Sequence, residues 1–125
     1  MRKHVNSADA PTPIGPYSQG VLAGGFMFVS GQIPLDPTTN ELVKGDIEAQ
    51  TEQVLKNLMA VLKEAKMGPE NVVKTTVFLS DLKDFAKMND VYARYLGKEP
   101  PARSTVQAAG LPRGVKVEID VIAAF

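Results

Sequence analysis

Two stretches of the chain repeat their apolar positions at the three- and four-residue spacing of an amphipathic helix. The first follows Asp46, a residue typical of helix N-caps, and is stopped by Met67-Gly68-Pro69. Its repeating positions are Ile47, Thr51, Val54, Leu58, Leu62 and Ala65. The second follows Asp81 or Asp84 and has Gly97 behind it. Its repeating positions are Phe85, Met88, Tyr92 and Tyr95. The pattern therefore predicts two helices.

Short runs rich in apolar and β-branched residues predict strands around these helices. The runs are 21–22 and 26–33 on either side of a Gly24-Gly25 turn, then 72–79, 102–107 and 115–125. The last two are expected to form a strand pair. The predicted order is β-β-α-β-α-β-β, which indicates one α+β domain over residues 1–125, with both helices on one face of a mixed sheet.

The two faces of this predicted sheet differ in composition. One set is purely apolar and is expected under the helices: Met27, Val29, Ile33, Val73, Val77, Leu79, Val117, Ile119 and Val121. The other set is mixed: Phe26, Phe28, Ser30, Gln32, Lys74, Thr76, Phe78, Glu118, Asp120 and Ile122. Phe28, Phe78 and Ile122 are too apolar for a solvated face, and two helices cannot cover both sides. We therefore expect the second face to pack against other copies in a homo-oligomer.

Composition excludes several classes of function. Among the 125 residues, 14 basic side chains balance 14 acidic ones, so no basic excess indicates binding to nucleic acid or anionic lipid. The chain has no cysteine and a single histidine, His4, which we expect at a frayed terminus. Thiolate metal sites, cysteine nucleophiles and Ser-His-Asp triads are thereby excluded. We expect no metal and no cofactor.

The N-terminal sequence predicts neither secretion nor membrane insertion. No apolar segment of a signal peptide follows Met1, and the charge-free run 10–35 is interrupted by prolines and glycines. We expect a cytoplasmic protein.

Two charged residues are the main candidates for chemistry. Arg103, after Pro100-Pro101-Ala102, can offer a planar bidentate fork to a carboxylate, or can be an edge-strand arginine paired with solvent or Glu99. Glu118 can be an ion-pair partner of Arg103 or Lys74, or a base that holds a water.

Weaker candidates lie on the first strands and the second helix. Tyr17 lies in a stiff Pro/Gly segment and either lines a site or packs as a lid on the core. Ser30-Gly31 interrupts an apolar strand, as at a bulge or a close backbone approach, while Ser30 as a nucleophile lacks an activating base. Asn89 is typical of a residue that hydrogen-bonds between elements.

Several motifs together resemble one family. They are 14–19 (IGPYSQ), 29–33 (VSGQI), 73–81 (VKTTVFLSD), 84–92 (DFAKMNDVY) and 101–106 (PARSTV), followed by Leu111 and 117–119 (VEI). In this order they resemble the RidA family, also called the YjgF family, over essentially the whole chain from Val5 to Phe125. The resemblance implies a chorismate-mutase-like fold and a homotrimer with a central barrel and sites between subunits.

The resemblance also implies an activity and roles for residues. The activity is hydrolysis of 2-imino acids, released by pyridoxal-phosphate-dependent dehydratases, to 2-keto acids and ammonia. Arg103 matches the arginine that binds the substrate carboxylate, and Glu118 the glutamate that positions a water. Tyr17 and Ser30-Gly31 match the pocket wall. Asn89 matches an asparagine with a structural role.

One residue departs from the family pattern, and two other functions compete with hydrolysis. Thr105 stands where many members carry cysteine, which argues against thiol-based regulation here. One alternative is a non-catalytic regulatory trimer that binds small carboxylates. The other is a weak endoribonuclease or translation inhibitor, against which the neutral charge and the lack of histidine pairs weigh.

Overall fold

A six-stranded sheet forms one layer of the molecule and two helices form the other. The computed structural model describes residues 1–125. The strands are β1 (Lys3–Val5), β2 (Gly20–Ala23), β3 (Phe26–Gln32), β4 (Leu35–Asp36), β5 (Glu41–Leu42), β6 (Val72–Leu79), β7 (Ala102–Gln107) and β8 (Val117–Ala124). The helices are α1 (Ile47–Glu64) and α2 (Phe85–Leu96). Neither helix is both long enough and apolar enough to cross a bilayer.

The strand order is β1-β2-β3-β8-β6-β7, with β4 and β5 in a separate small ribbon. Neighbouring strands are antiparallel except β6 and β7, which are parallel. The mixed sheet with two helices is confirmed. The expected pairing of the last two strands is wrong, because β6 lies between β7 and β8. The chain from β7 to β8 crosses over β6, and a crossing of this kind leaves no local signal in the sequence.

Local sequence explains how the helices begin. The Asp46 carboxylate accepts a hydrogen bond from the amide of Ala49 at 2.9 Å, so its predicted role as the cap of α1 is confirmed. Before α2, Asp81 caps a short 3-10 turn by accepting from the amide of Lys83 at 2.9 Å. Asp84 occupies the N-cap position of α2 without a side-chain hydrogen bond.

The helix-facing side of the sheet forms the core, largely as predicted. Met27, Val29, Val77, Leu79, Val117, Ile119 and Val121 are all buried. Val73 is an error of the prediction, since 44% of its surface is exposed. Val72 pairs with Ala123 and Lys74 with Ile122, so a bulge at Val73 turns its side chain outward. Ile33 lies beyond the end of β3 and is only partly buried.

A second bulge lies in β3 at Ser30-Gly31, as the glycine there predicted. Val29 pairs with Val121 and Gln32 with Ile119, so two residues of β3 oppose one residue of β8. The extra residue changes which side the following side chain faces. Gln32, expected on the mixed face, is therefore buried.

The N-terminal segment is fixed to the sheet. His4 is not frayed, because it pairs with Val21 in the sheet and its Nδ1 lies 2.7 Å from the Ser18 hydroxyl. The buried Gln19 side chain donates to the carbonyl of Ser7 at 3.1 Å and to that of Pro11 at 2.9 Å. These bonds fasten the start of the irregular segment 7–19 to Gln19, the residue before β2.

No helix covers the opposite face of the sheet. Phe26, Phe28 and Val106 there are 45%, 46% and 44% exposed, and the two phenylalanine rings lie 6.4 Å apart. An apolar surface of this kind is typical of an interface. The homotrimer stays a prediction.

Candidate functional site

Arg103 is held by side chains of α2. Its side chain is half-buried on the helix side of β7, and one terminal nitrogen donates to Asn89 Oδ1 at 2.8 Å. The guanidinium carbon lies 4.8 Å from the centre of the Tyr92 ring and 5.4 Å from that of Phe85. Glu99 is not its partner. Asn89 therefore has a structural contact, as expected, and it is a contact with the main candidate residue.

Glu118 projects from the opposite side of the sheet. It is half-buried on β8, where burial raises the pKa of its carboxyl and the negative charge of Asp120 raises that pKa further. Neither Arg103 nor Lys74 pairs with it: Arg103 donates to Asn89, and the Lys74 ammonium donates to Ser104 at 2.9 Å. A raised pKa makes the protonated form of the carboxyl easier to reach, which suits a group that both takes and returns a proton.

Tyr17, Ser30, Gly31 and Glu118 line one cavity of about 470 Å³. Tyr17 is 50% exposed, so it is not a lid on the core. Its hydroxyl accepts from the amide of Ile14 at 3.3 Å, across a turn in which Gly15 has φ of +140°. This positive φ favours glycine, and the turn places the phenol at the cavity wall.

The hydroxyl proton of Ser30 is engaged in a hydrogen bond within the fold. Its hydroxyl donates to the carbonyl of Ser18 at 2.6 Å, and its amide donates to the carbonyl of Gln19 at 2.9 Å. The hydroxyl oxygen can therefore accept a hydrogen bond from a ligand, but its proton is already engaged. This arrangement does not suit a nucleophile.

One chain does not bring Arg103 and Glu118 together. Arg103 lies beside Thr75 of β6, whose side chain faces the helices, whereas Glu118 lies beside Phe78, on the other face. Their backbones are two strands apart, about 10 Å, and three residues apart along β6, again about 10 Å. Arg103 instead lines a separate cleft of about 320 Å³ with Asn89, Tyr92 and the Pro100-Pro101 segment.

Thr105 lies two residues beyond Arg103 on β7. Its hydroxyl oxygen is buried without a hydrogen-bond partner. It pairs in register with Val77, on the helix side of the sheet, and so lies on the same side as Arg103.

Sequence reasoning missed three residues: Phe85 and Tyr92, which contact Arg103, and Arg113 in the Glu118 cavity. The apolar spacing along α2 predicts Phe85 and Tyr92 only as residues of its apolar face, although their spacing with Asn89 could have indicated a surface that receives Arg103. Arg113 lines the Glu118 cavity from a turn where its φ is 56°, and no pattern in the sequence indicated it.

Comparison with known proteins shows the family and the fold. The family model described as Endoribonuclease L-PSP, of which RidA is another name, matches residues 7–125. The chain belongs to the RidA family. The resemblance read from the sequence motifs is confirmed, and so is the fold class.

Relatives within the RidA family match almost the whole chain. A RutC family protein of Pyrococcus horikoshii is 52% identical over 98% of both chains. The 2-iminobutanoate/2-iminopropanoate deaminase of Mus musculus is 46% identical over 98% of this chain and 91% of its own. The structure of Escherichia coli TdcF with bound serine has a TM-score of 0.94 and 41% identity, covering 98% of both chains.

Proposed function

We propose that the protein hydrolyses 2-imino acids such as 2-iminopropanoate and 2-iminobutanoate to 2-keto acids and ammonia. The observation that carries the proposal is the state of Arg103, whose guanidinium is fixed by Asn89 and two rings while it keeps further N–H donors for a ligand. A small carboxylate is the natural ligand of such a planar fork. The deaminase of mouse and the serine bound to TdcF support this reading.

The complete site, in this proposal, forms between two copies of the chain. Arg103 of one copy reaches the cavity of the next copy, which supplies Glu118, Tyr17 and Ser30-Gly31. Support comes from the placement of Arg103 and Glu118 on opposite faces and from the exposed rings of Phe26 and Phe28. Three copies that bury these faces against one another would form the central barrel of a homotrimer.

Binding prepares the substrate for attack by water. Arg103 holds the carboxylate through two parallel hydrogen bonds and so fixes the imine carbon next to it. The Ser30 oxygen, whose own proton is engaged, accepts an N–H of the protonated imine, and Tyr17 closes the wall of the pocket. Holding the carbon and the water in contact distance lowers the entropic part of the barrier.

Glu118 carries the protons of the reaction. As a carboxylate it takes one proton from water while the water oxygen bonds to the imine carbon, and the product is a neutral carbinolamine. The resulting carboxylic acid then protonates the amine nitrogen. The C–N bond breaks, the hydroxyl proton returns to Glu118 as the keto group forms, and ammonia leaves as ammonium with that proton. The raised pKa of Glu118 suits both steps.

The reaction as proposed uses side chains and water alone, without a metal or a cofactor. Its substrates are products of pyridoxal-phosphate-dependent dehydratases, which eliminate water from hydroxy amino acids and release an enamine. We therefore place the protein with such enzymes in the cytoplasm.

The test is a timed assay in which a threonine dehydratase generates the imine and the keto acid is followed with and without this protein. The wild type should accelerate keto acid release. Arg103→Ala should lose about a hundredfold or more, and Arg103→Lys should also be poor because an ammonium cannot form the fork. Arg94→Ala, on the same helix as Asn89 but in a different cleft, is the matched control and should retain full activity. Near-normal turnover by Arg103→Ala would contradict the proposal.

Three measurements separate the competing functions: turnover in this assay, binding of 2-ketobutanoate and degradation of RNA. A carboxylate-binding regulator would bind 2-ketobutanoate through Arg103 without accelerating imine hydrolysis. A ribonuclease would degrade RNA in an amount that follows the protein through purification and is unaffected by Arg103→Ala. The proposed deaminase loses turnover in Glu118→Gln while it still binds the keto acid.

A further inference from the structure

We infer that Phe85 and Tyr92 form a slot for the Arg103 guanidinium and act as positioning residues that set the affinity for the substrate carboxylate. The inference rests on the proposed function and extends it to residues that do not touch the substrate. We call this feature the aromatic slot, formed by the rings of Phe85 and Tyr92 with Asn89 between them.

The aromatic slot follows from the spacing along α2. Phe85, Asn89 and Tyr92 stand at positions i, i+4 and i+7, which form one stripe on a helix. Two helical turns separate the backbones of Phe85 and Tyr92 by about 10 Å along the axis. The Arg103 guanidinium carbon, 5.4 Å from one ring centre and 4.8 Å from the other, fits between them. Asn89 accepts its hydrogen bond from the middle of the stripe.

A buried hydrogen bond anchors one side of the slot. Tyr92 is 6% exposed, and its hydroxyl lies 2.8 Å from the hydroxyl of Thr75, which is fully buried. Thr75 is also the β6 residue that lies beside Arg103 in the parallel ladder. The ring is therefore fixed to the same pair of strands that carries the arginine, and the ring and the guanidinium cannot shift independently.

This arrangement restricts how Arg103 can bind an anion. The rings restrict the guanidinium through cation–π contact, and Asn89 occupies one of its terminal nitrogens. The remaining donors lie in one plane, which matches a carboxylate. Because the side chain is ordered before binding, the substrate loses less free energy to ordering it. The carboxylate is held alike in the ground and transition states, so disturbing the slot should raise KM more than it lowers kcat.

The first test compares the same substitution at two tyrosines of α2. Tyr92→Leu removes a ring of the slot and should raise KM for 2-iminobutanoate about tenfold, with kcat within about threefold. Tyr95→Leu is the matched control, because Tyr95 lines a different cleft, with Arg94 and Glu99, and does not contact Arg103. Its KM should stay at the wild-type value. Phe85→Leu, at a residue 39% exposed, should fold normally and raise KM about threefold.

The second test asks whether the rings act through Arg103. In an Arg103→Ala background, Phe85→Leu or Tyr92→Leu should cause no further loss in kcat/KM, since the slot then has no cation to hold. Losses that add in full, or an unchanged KM in both single variants, would overturn the inference. The affinity of each variant for 2-ketobutanoate is measured in parallel. The slot is thereby tested even if the wild type does not accelerate imine hydrolysis, an outcome that would contradict the proposed function alone.

Discussion

The carboxylate of Glu118 lies against the backbone of Gly31, in the space that a side chain at position 31 would need. A Cβ atom at Gly31 would lie 3.0 Å from Cδ and 3.2 Å from Cγ of Glu118, and closer still to one carboxylate oxygen. Gly31 is also part of the bulge in β3. The bulge and the missing side chain together create the recess that holds the proposed proton carrier.

Gly31→Ala should therefore reduce activity far more than stability. The atoms that the new methyl group meets belong to the flexible end of Glu118, so the carboxylate can move away at little cost to the fold. A proton carrier displaced by about 1 Å should lower kcat by about a hundredfold. The measurements are kcat in the dehydratase-coupled assay and the midpoint of urea unfolding.

Gly110→Ala is the matched control for this substitution. A Cβ at Gly110 meets no atom within 4 Å, and its backbone is not in the left-handed region. Activity and unfolding midpoint should both stay at the wild-type values. Equal activity of the two variants would show that the position of the Glu118 carboxylate does not matter for turnover.

The second prediction concerns the neighbouring carboxylate on β8. The negative charge of Asp120 raises the pKa of Glu118, in addition to burial. Asp120→Asn removes that charge, so the pKa of Glu118 should fall and its carboxylate form should persist to lower pH. Since the carboxylate is the form that takes the proton from water, the acid limb of the kcat/KM profile should shift to lower pH.

Asp84→Asn serves as the control for the pH profile. Asp84 is on the other layer of the molecule, before α2, and is not among the groups that shift the pKa of Glu118. Its profile should coincide with that of the wild type. An acid limb that stays in place in Asp120→Asn, or moves to higher pH, would assign that limb to another group.

The third prediction compares one substitution at two threonines that are both fully buried. The Thr51 hydroxyl has no hydrogen-bond partner, whereas the Thr75 hydroxyl is bonded to Tyr92. Thr51→Val should stabilise the fold by about 1 kcal/mol, because an unpaired polar group is removed from the interior. Thr75→Val should destabilise it by about 1–3 kcal/mol, because the Tyr92 hydroxyl is left unpaired.

Urea unfolding at one fixed protein concentration measures both effects. Each variant is the control of the other, since both lose a hydroxyl and gain a methyl group at the same degree of burial. The two midpoints should move in opposite directions. A shift of both in the same direction would mean that hydrogen bonding at these hydroxyls does not decide the outcome.

Periodicity and local chemistry predicted most of the fold. The helix after Asp46 and the alternation of buried residues along β8 are set by residues close in sequence. Periodicity was therefore sufficient to predict both. The errors at Gln32 and Val73 come from bulges, each of which inserts one residue and reverses which face the next side chain occupies. Glycine indicated the bulge in β3 in advance, but Val73 lies in a β-branched run with no signal of this kind.

Sequence motifs supplied the candidate site residues but not their arrangement in space. Motifs identified Arg103 and Glu118, yet their placement on opposite faces depends on β6 lying between β7 and β8, which is a property of the whole sheet. The support that Phe85 and Tyr92 give to Arg103 likewise requires side chains of α2 to contact a side chain of β7. These arrangements depend on contacts between residues distant in sequence, and the pattern of a single sequence does not indicate such contacts.

The last prediction tests the shared site directly, by mixing two inactive variants. Arg103→Ala keeps a normal Glu118, and Glu118→Gln keeps a normal Arg103. If the site uses Arg103 of one copy and Glu118 of the next, some interfaces in a mixed trimer combine the two intact side chains. With equal amounts and random exchange, each interface has this composition with a probability of one half times one half, so activity should recover to about a quarter of wild type.

The mixture must be unfolded and refolded together so that subunits exchange, and each variant refolded alone is the control. Phe28→Glu provides a second control, because a charge on the exposed apolar face should block assembly of the trimer. Mixtures in which both variants also carry Phe28→Glu should stay inactive and should sediment as single chains. If the mixture that can assemble shows no recovery, Arg103 and Glu118 do not act together across an interface. Within one copy they lie on opposite faces of the sheet and cannot act together either. The roles assigned to both residues would then be wrong.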